Sequence, residues 1–347
     1  MNQGIEKFGF HGNAREWFGI WIVNLLLSIV TIGIYSAWAK VRTKKYFYQN
    51  TWVAGRNFDY HATGKQILIG RLIVVAAVAI LSVLSTATPV VALLLVIALF
   101  FLSPVLIVRG AAFNARNSSW ANVRFDFDGK TGQAYLIYLL YPILTVLSLY
   151  LAFPFLARAT QRYGVSGHSL GTSRFHFEST IAPFYKAFLA AAVPALLGGV
   201  AFVVIARDAF AAITGDGTPT PGAVVSVTVG YLVLLFMSVM AGVLYQAMIR
   251  NHIFACTKLG AAQHGFRSTV TVGRLLWLVS TNAVLVLVSL GLLLPWTQVR
   301  MHRYLAGQTA LLANGSLDDF RGDIIPDADA IGDAYADVEG VDLGLAI

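Results

Sequence analysis

Seven histidines are the first candidates for chemistry, because imidazole binds metals and transfers protons near neutral pH. All seven lie in polar connections or at the edges of apolar stretches. A metal or acid–base site would draw on His61, His176, His264, Asp59, Asp126 and Glu178. No two of these residues show the short spacing of a zinc motif. The simpler interpretation is a set of interfacial residues and helix caps, so the sequence predicts no metal and no cofactor.

A second candidate group has helical i, i+4 spacing and occurs twice, 258 positions apart. It consists of Trp38, Arg42 and Tyr46, and of Trp296, Arg300 and Tyr304. Tryptophan and tyrosine favour the water–lipid boundary, so we expect Trp38, Tyr46, Trp296 and Tyr304 to be interfacial anchors. The arginines either contact lipid head groups or form an anion-binding site related by pseudosymmetry.

Asn24 and Asn282 place amides in apolar surroundings, also 258 positions apart. Burying an amide in lipid without a partner is costly. Each residue therefore indicates either a structural hydrogen bond between helices or a permeation site built from broken helices. In the second case the two amides would meet near a pseudosymmetry axis.

These side chains sit in an unusually apolar chain. Of 347 residues, 57% are hydrophobic and 12% are charged, whereas soluble domains carry about 25% charged residues. Apolar runs cover residues 67–86, 90–108, 184–205 and 223–247, each close to the roughly 20 residues that cross a bilayer as a helix. The composition predicts a multi-pass protein of a bacterial inner membrane. No nucleotide-binding loop, nucleophile elbow or paired-cysteine motif indicates an enzyme.

Charge is divided unevenly along the chain. Nine of the 17 acidic residues follow position 317, so residues 1–317 hold 24 Lys and Arg against eight acids. Basic residues beside apolar segments indicate membrane lipids and their anionic head groups as partners, rather than nucleic acid. A homo-oligomer is compatible with this surface. Residues 314–347 are predicted to be a disordered acidic tail.

Residues 1–313 are predicted to form the membrane domain, with pseudo-repeat units at 8–124 and 125–265 and a partial unit at 266–313. A Phe-x-aromatic pattern marks these units, at Phe8, Phe58, Phe125 and Phe175, with a degraded copy at Phe266. Alternating aromatics predict short strands.

Three interrupted segments, 17–38, 135–155 and 275–296, either cross the membrane or dip in and return. Returning segments place 24 of the 25 Lys and Arg on one side, against a 15 to 10 division if all three cross. The positive-inside rule favours the returning arrangement.

Several of these residues also carry a resemblance to a known family. The run Thr31 to Arg42 with Tyr46, the run Phe58 to Gly64, and the closing run Gly291 to Tyr304 resemble the YjgN family of bacterial inner-membrane proteins. The resemblance covers roughly residues 8–313 and implies an integral inner-membrane protein. The shared domain has no assigned function, so it supplies no catalytic or binding residues.

The sequence as a whole predicts an all-α membrane protein. We expect a polytopic helix bundle with pseudo-repeats, re-entrant segments and a layer of short aromatic cytoplasmic strands. Channel- or carrier-like transport of a small or amphipathic solute is the leading functional hypothesis, with Asn24, Arg42, Asn282 and Arg300 as candidate binding residues. A non-catalytic membrane organiser or scaffold is the alternative, and a lipid-acting membrane enzyme is a further one.

Overall fold

The computed structural model describes residues 3–85, 89–214, 220–317 and 320. Helical hairpins stand on one side of a single antiparallel sheet, and the chain returns to that sheet after every hairpin. The prediction of an all-α protein is therefore wrong. Most of the predicted acidic tail lies outside the described residues.

The sheet has eleven strands in the described part of the chain, each two to six residues long. They are β1 Gln3–Lys7, β2 Gly9–Phe10, β3 Thr51–Val53, β4 Arg56–Tyr60, β5 Ser118–Trp120, β6 Val123–Phe127, β7 His168–Leu170, β8 Ser173–Phe177, β9 Thr257–Leu259, β10 His264–Ser268 and β11 Thr309–Asn314. Their order is β1-β11-β10-β9-β8-β7-β6-β5-β4-β3-β2. Because β1 and β2 stand at opposite ends of this order and only Phe8 separates them in the chain, the sheet forms a nearly closed barrel.

Strand length explains why the barrel is hidden in the sequence. Hydrophobic periodicity identifies strands over about four to eight residues, and strands such as β7 and β9 have only three. The aromatic alternation indicates one strand of each hairpin, while its partner carries mostly small and polar residues. Closure itself depends on pairing between the two ends of the chain, which no local pattern reports.

The same pairing recurs at five places around the barrel. In each case the last residue of one strand pairs with the first residue of the neighbouring strand. The last residue is aromatic in four strands and a serine in β10. The pairs are Phe10–Thr51, Tyr60–Ser118, Phe127–His168, Phe177–Thr257 and Ser268–Thr309. The side chain of each strand-initiating residue also bonds the carbonyl four residues earlier, at 2.6–2.7 Å. These bonds end the preceding helix and orient it towards the barrel.

The helices form five hairpins, which we number in chain order. The first hairpin consists of α1 Ala14–Val30 and α2 Ser36–Gln49, the second of α3 Gly64–Ser85 and α4 Pro89–Arg116, and the fifth of α11 Val272–Val288 and α12 Leu294–Gly307. The third hairpin consists of α5 Thr131–Tyr135, a π-helical turn Leu136–Leu140, α6 Tyr141–Leu147 and α7 Phe153–Gly167. The fourth consists of α8 Ala182–Ile205, a short α9 Arg207–Thr214 and α10 Pro221–Cys256. Neighbouring hairpins touch through α2 and α3, α4 and α5, α7 and α8, α10 and α11, and α12 and α1. The hairpins therefore form a ring above the barrel.

Only the second and fourth hairpins are long and apolar enough, within the described residues, to cross a membrane. Their candidate spans are Gly64–Val83, Val90–Arg116, Ala182–Ile205 and Pro221–Cys256. These match the four long apolar runs of the sequence. Their apolar surfaces face outward and are exposed, as expected for helices solvated by lipid.

The first and third hairpins end beside the entrances of the crossing helices. Arg71 donates to the Ser36 hydroxyl at 2.5 Å, and Arg71 is the eighth residue of the 22-residue α3. The Tyr185 hydroxyl donates to the Leu151 carbonyl at 3.0 Å, and Tyr185 is the fourth residue of the 24-residue α8. Ser36 thus lies beside the third turn of α3 and Leu151 beside the start of α8, and the chain then returns to the barrel.

The three short hairpins share one turn, which satisfies its own backbone. An amide bonds the carbonyl five residues earlier at Gly33, Tyr150 and Gly291, at 2.7–2.8 Å. The hydroxyls of Thr31, Ser148 and Ser289 each accept from the amide four residues later, at 2.9–3.0 Å. Internal pairing matters because the tips are apolar, with Ile32 94% and Leu290 93% exposed. A bilayer interior offers no water to unpaired backbone groups.

We predict that Ser289→Ala destabilises the protein, because it leaves the Leu293 amide without its acceptor. Loss of one hydrogen bond with an unsatisfied partner costs about 1–3 kcal/mol. Thermal unfolding in detergent micelles measures the effect. Ser238→Ala is the matched control, since that hydroxyl only donates to a carbonyl of its own helix. Equal melting temperatures for the two variants would show that the tip hydroxyl is dispensable.

Candidate functional site

Five phenylalanines lie side by side where the helices meet the barrel. They are Phe8, Phe58, Phe125, Phe175 and Phe266, the first aromatics of the Phe-x-aromatic copies, and we call them the phenylalanine row. Successive ring centroids are 6.1, 6.4, 6.4 and 6.1 Å apart, with interplanar angles of 12–32°. Such pairs contribute about 0.5–1.5 kcal/mol each beyond their buried area. The row forms an apolar floor beneath the ring of helices.

Three adjoining cavities lie above this floor, and together we call them the central chamber. Their volumes are about 360, 390 and 640 Å³. The first two share Phe125 and His168, and the first and third share Gln161, Ile253 and Phe254. The walls come mainly from the returning helix of a hairpin, namely α2, α4, α7, α10 or α12, with α11 added in the third cavity.

A polar collar interrupts these apolar walls two helical turns before the strands begin. The position seven residues ahead of each strand-initiating residue carries Lys44, Ala111, Gln161, Arg250 or His302. Gln161 and Arg250 line the third cavity, and His302 lines the second. Lys44 instead bonds the Asn114 side chain and lies 4.8 Å from the Tyr60 ring centroid. A few polar groups, with Arg250 as the cation that lines a cavity, above an apolar floor suit an amphipathic ligand.

Arg250 is the most unusual member of the collar. One terminal nitrogen donates to the Thr309 hydroxyl at 3.0 Å, and the guanidinium carbon lies 4.6 Å from the Phe254 ring centroid. Its Nε is buried and has no hydrogen-bond partner. Among the described residues, Arg116 forms an exposed salt bridge with Asp126 and Arg174 forms one with Asp128, and neither pair involves Arg250. Arg250 thus has no carboxylate partner in the described part of the chain.

Below the phenylalanine row the barrel is filled. Buried side chains of the short strands form an aliphatic layer with one indole: Val53, Trp120, Leu170, Leu259 and Leu311. Phe320 packs against this layer, and its ring lies 4.4 Å from that of His264. The barrel end of the chamber is therefore closed in this structure.

His302 and His264 are both held in environments that disfavour their charged forms. The His302 ring stacks on Phe47 at 4.2 Å, and desolvation of the ring lowers the pKa of His302, although part of the residue is exposed. Burial also lowers the pKa of His264. The His264 Nδ1 accepts from the Asn314 amide at 3.1 Å, while its Nε2 is buried without a partner.

The four predicted binding residues do not come together in one place. Asn282 accepts from Arg300 at 2.9 Å, and Arg300 also donates to Thr281 at 2.7 Å. Asn24 is buried, but both of its amide atoms lack hydrogen-bond partners. Arg42 is exposed and lies near the Tyr35 ring. The Asn282–Arg300 bond thus has no counterpart between Asn24 and Arg42.

Of the four predicted anchors, the two tyrosines act within the protein. The Tyr46 hydroxyl accepts from the Asn13 amide at 2.9 Å, and the Tyr304 hydroxyl accepts from the Thr271 amide at 3.2 Å. Each bond ties a returning helix to the start of its own hairpin.

The two tryptophans are exposed, 37% for Trp38 and 42% for Trp296, and their interfacial position stays a prediction. Trp38 packs so closely on Gly64 that a Cβ atom there would lie 2.4 Å from the indole. A side chain at position 64 would therefore force the Trp38 indole to move.

The histidines and carboxylates weighed as an alternative metal or acid–base site have separate partners in the structure. His61 bonds the Ser119 hydroxyl at 2.8 Å, Asp126 pairs with Arg116 at 2.9 Å, and His176 is exposed on β8. No group of three or more His, Cys, Asp or Glu in the described residues could hold a metal ion.

Sequence reasoning missed Arg250, Gln161, His168 and His302 as chamber residues. Arg250 lies near the end of an apolar run, so it was indistinguishable from an interfacial cation. Alignment of the five helix-to-strand junctions would have found the collar, because its members all stand seven residues before a strand. That alignment requires the short strands to be known.

Comparison with known proteins adds the wider context. A family model described as "Bacterial protein of unknown function (DUF898)" matches residues 6–338. A Salmonella typhimurium protein named inner membrane protein YjgN is 25% identical over 89% of this chain and 88% of its own length. Proteins of the same name from Escherichia coli K12 and O157:H7 are 33% and 32% identical over 43% of this chain. Those two matches span 38% of each relative's length. No solved structure matches the chain.

The environment of His264 predicts a pH-dependent stability. Its pKa in the folded chain lies below the usual 6.5, so the unfolded chain binds a proton that the folded chain does not. Stability should therefore fall as the pH drops below about 6.5 and be unaffected above it. His264→Asn should reduce the difference in melting temperature between pH 7.5 and 5.5. His11→Asn, which changes an exposed imidazole, should leave that difference unchanged; equal effects would contradict the assignment.

Proposed function

Because the chain belongs to the family described as bacterial protein of unknown function (DUF898), whose relatives are inner-membrane proteins, we propose that it is a channel- or carrier-like protein for an amphipathic solute. The central chamber is the proposed solute site. The phenylalanine row and the layer below it are the proposed gate. The observation that carries the proposal is a chamber with apolar walls and a polar collar inside a closed ring of hairpins.

The walls of the chamber support an amphipathic rather than a fully polar solute. Phe125, Phe175, Phe254 and Phe266 line its first cavity, where His168, Gln161 and Thr257 supply most of the polar groups. Apolar pockets with a few placed polar groups bind ligands of mixed character. A pathway for a hydrated inorganic ion would instead need a polar lining.

Charge supports an orientation with the barrel in the cytoplasm. Arg207 stands at the far end of the fourth hairpin, whereas the other described Lys and Arg lie in the barrel, at hairpin bases or in the short hairpins. By the positive-inside rule the barrel side is the cytoplasmic side. A solute entering the chamber from the membrane would then reach the cytoplasm through the barrel.

The chamber can be filled without disturbing its walls. Gly164 lines the first cavity, and a Cβ atom there meets nothing within 4 Å. We predict that Gly164→Leu abolishes solute movement while the protein still folds. Efflux of 1-octanesulfonate and of octyltrimethylammonium from proteoliposomes measures the effect, because both probes are permanently charged and cross pure lipid slowly.

Gly132→Leu is the matched control, because Gly132 is an exposed helical glycine that also has open space around it. Phe320→Ala removes one side chain from the closed end and should raise efflux above that of the unaltered chain. A non-catalytic scaffold needs no chamber. If proteoliposomes release neither probe faster than empty vesicles, and Phe320→Ala changes nothing, transport is excluded for these amphiphiles.

A further inference from the structure

We infer that the third cavity of the chamber is a binding site for the anionic head group of a single-chain or membrane amphiphile, with Arg250 as its counter-ion. The inference rests on the proposed solute site and specifies its ligand class. The head group would bind beside Arg250, between α7, α10, α11 and α12. The alkyl chain would lie over the phenylalanine row.

The first argument is the unsatisfied charge of Arg250. A guanidinium has five N–H donors, and the structure provides one hydrogen bond, to Thr309. The buried Nε has no partner, and no carboxylate of the described residues pairs with this side chain. Leaving a buried charged donor unpaired is more costly than leaving a neutral one unpaired. An anion in the cavity would remove that cost.

The second argument is the arrangement of neutral donors around Arg250. Gln246 lies one helical turn before Arg250 on α10, and Gln161 faces the same cavity from α7. Neither amide bonds another residue in the described part of the chain, so both are available to an oxyanion. The remaining lining is almost entirely apolar, including Val239, Val243, Leu275 and Val279. Polar contacts are thus confined to one end of the cavity.

The third argument is the continuity between this polar end and the apolar floor. Phe254 belongs to both the first and the third cavity, and Arg250 lies against its ring. A cation held on an aromatic face keeps a fixed direction. The guanidinium therefore lies where the third cavity, proposed for the head group, meets the first cavity, proposed for the alkyl chain.

Around the chamber, Lys44 and His302 do not offer an equivalent site, and Arg300 lines a separate cavity of about 310 Å³ with Arg274 and Arg303. Arg300 is already bonded to Thr281 and Asn282, and Lys44 is bonded to Asn114. Burial lowers the pKa of His302, so its neutral form is favoured. Arg250 thus combines a permanent charge, an unpaired donor and an adjoining cavity.

The test measures binding of 1-octanesulfonate and of octyltrimethylammonium to the full chain in phosphatidylcholine nanodiscs, with empty nanodiscs subtracted. The unaltered chain should bind the sulfonate and not the ammonium. Arg250→Gln should weaken sulfonate binding by about tenfold or more, and Arg250→Lys by less, because a charge-assisted contact contributes roughly 1.5–3 kcal/mol. Arg267→Gln is the matched control, since Arg267 is exposed on β10 and its loss changes the net charge equally.

A second variant guards against misfolding. Gln246→Glu places a carboxylate one turn from Arg250, so it should raise the melting temperature and still abolish sulfonate binding.

Competition by phosphatidylglycerol in the nanodisc would identify a membrane lipid as the source of the anion, and no competition would identify a free amphiphile. Binding without efflux would exclude transport and leave the site standing. Equal binding of both probes, or Arg250→Gln that binds like Arg267→Gln, would overturn the site.

Discussion

Pairing between the first and last strands is the interaction on which the rest of the structure depends. Gln3 to Lys7 pair residue by residue with Asn314 to Ala310, across nearly the whole length of the chain. Without this pairing β11 would be an open edge with a row of unpaired backbone groups, and the end of the sheet would not be brought back beside β2. With it, the bases of five hairpins are fixed on one ring. The returning helices then enclose a space that no single hairpin could create.

Local patterns predicted the membrane character and the positions of most helices. The four long apolar runs became the two crossing hairpins, and the resemblance to the YjgN family and the inner-membrane location are confirmed by the matched family and relatives. The prediction of an all-α fold failed, because strands such as Thr257–Leu259 are too short to show a period. The division into pseudo-repeat units and the transport hypothesis stay predictions. Closure of the barrel was beyond sequence reasoning, since it is a contact between residues about 300 positions apart.

For the candidate site, too, the sequence indicated which single residues are unusual but not which residues contact one another. Asn24 and Asn282 were singled out as amides in apolar sequence, and both are buried. Their partners differ, because Arg300 reaches Asn282 while Arg42 lies by Tyr35. Arg250 drew no attention as a single basic residue near the end of a helix. Its importance depends on three neighbours. Thr309 comes from β11, Gln161 comes from α7, and Phe254 lies on the next turn of the same helix, α10.

The return of every hairpin to one sheet also determines how the chain enters its membrane during synthesis. No strand has to be carried across the lipid, and among the described residues the largest polar segment on the far side is the short helix Arg207–Thr214. Each hairpin can therefore insert as a pair of helices as soon as it leaves the ribosome. The barrel, however, cannot close until Thr309–Asn314 has been translated. Until that moment the growing sheet keeps a free edge at the membrane surface, where a chaperone or a second nascent copy could pair with it.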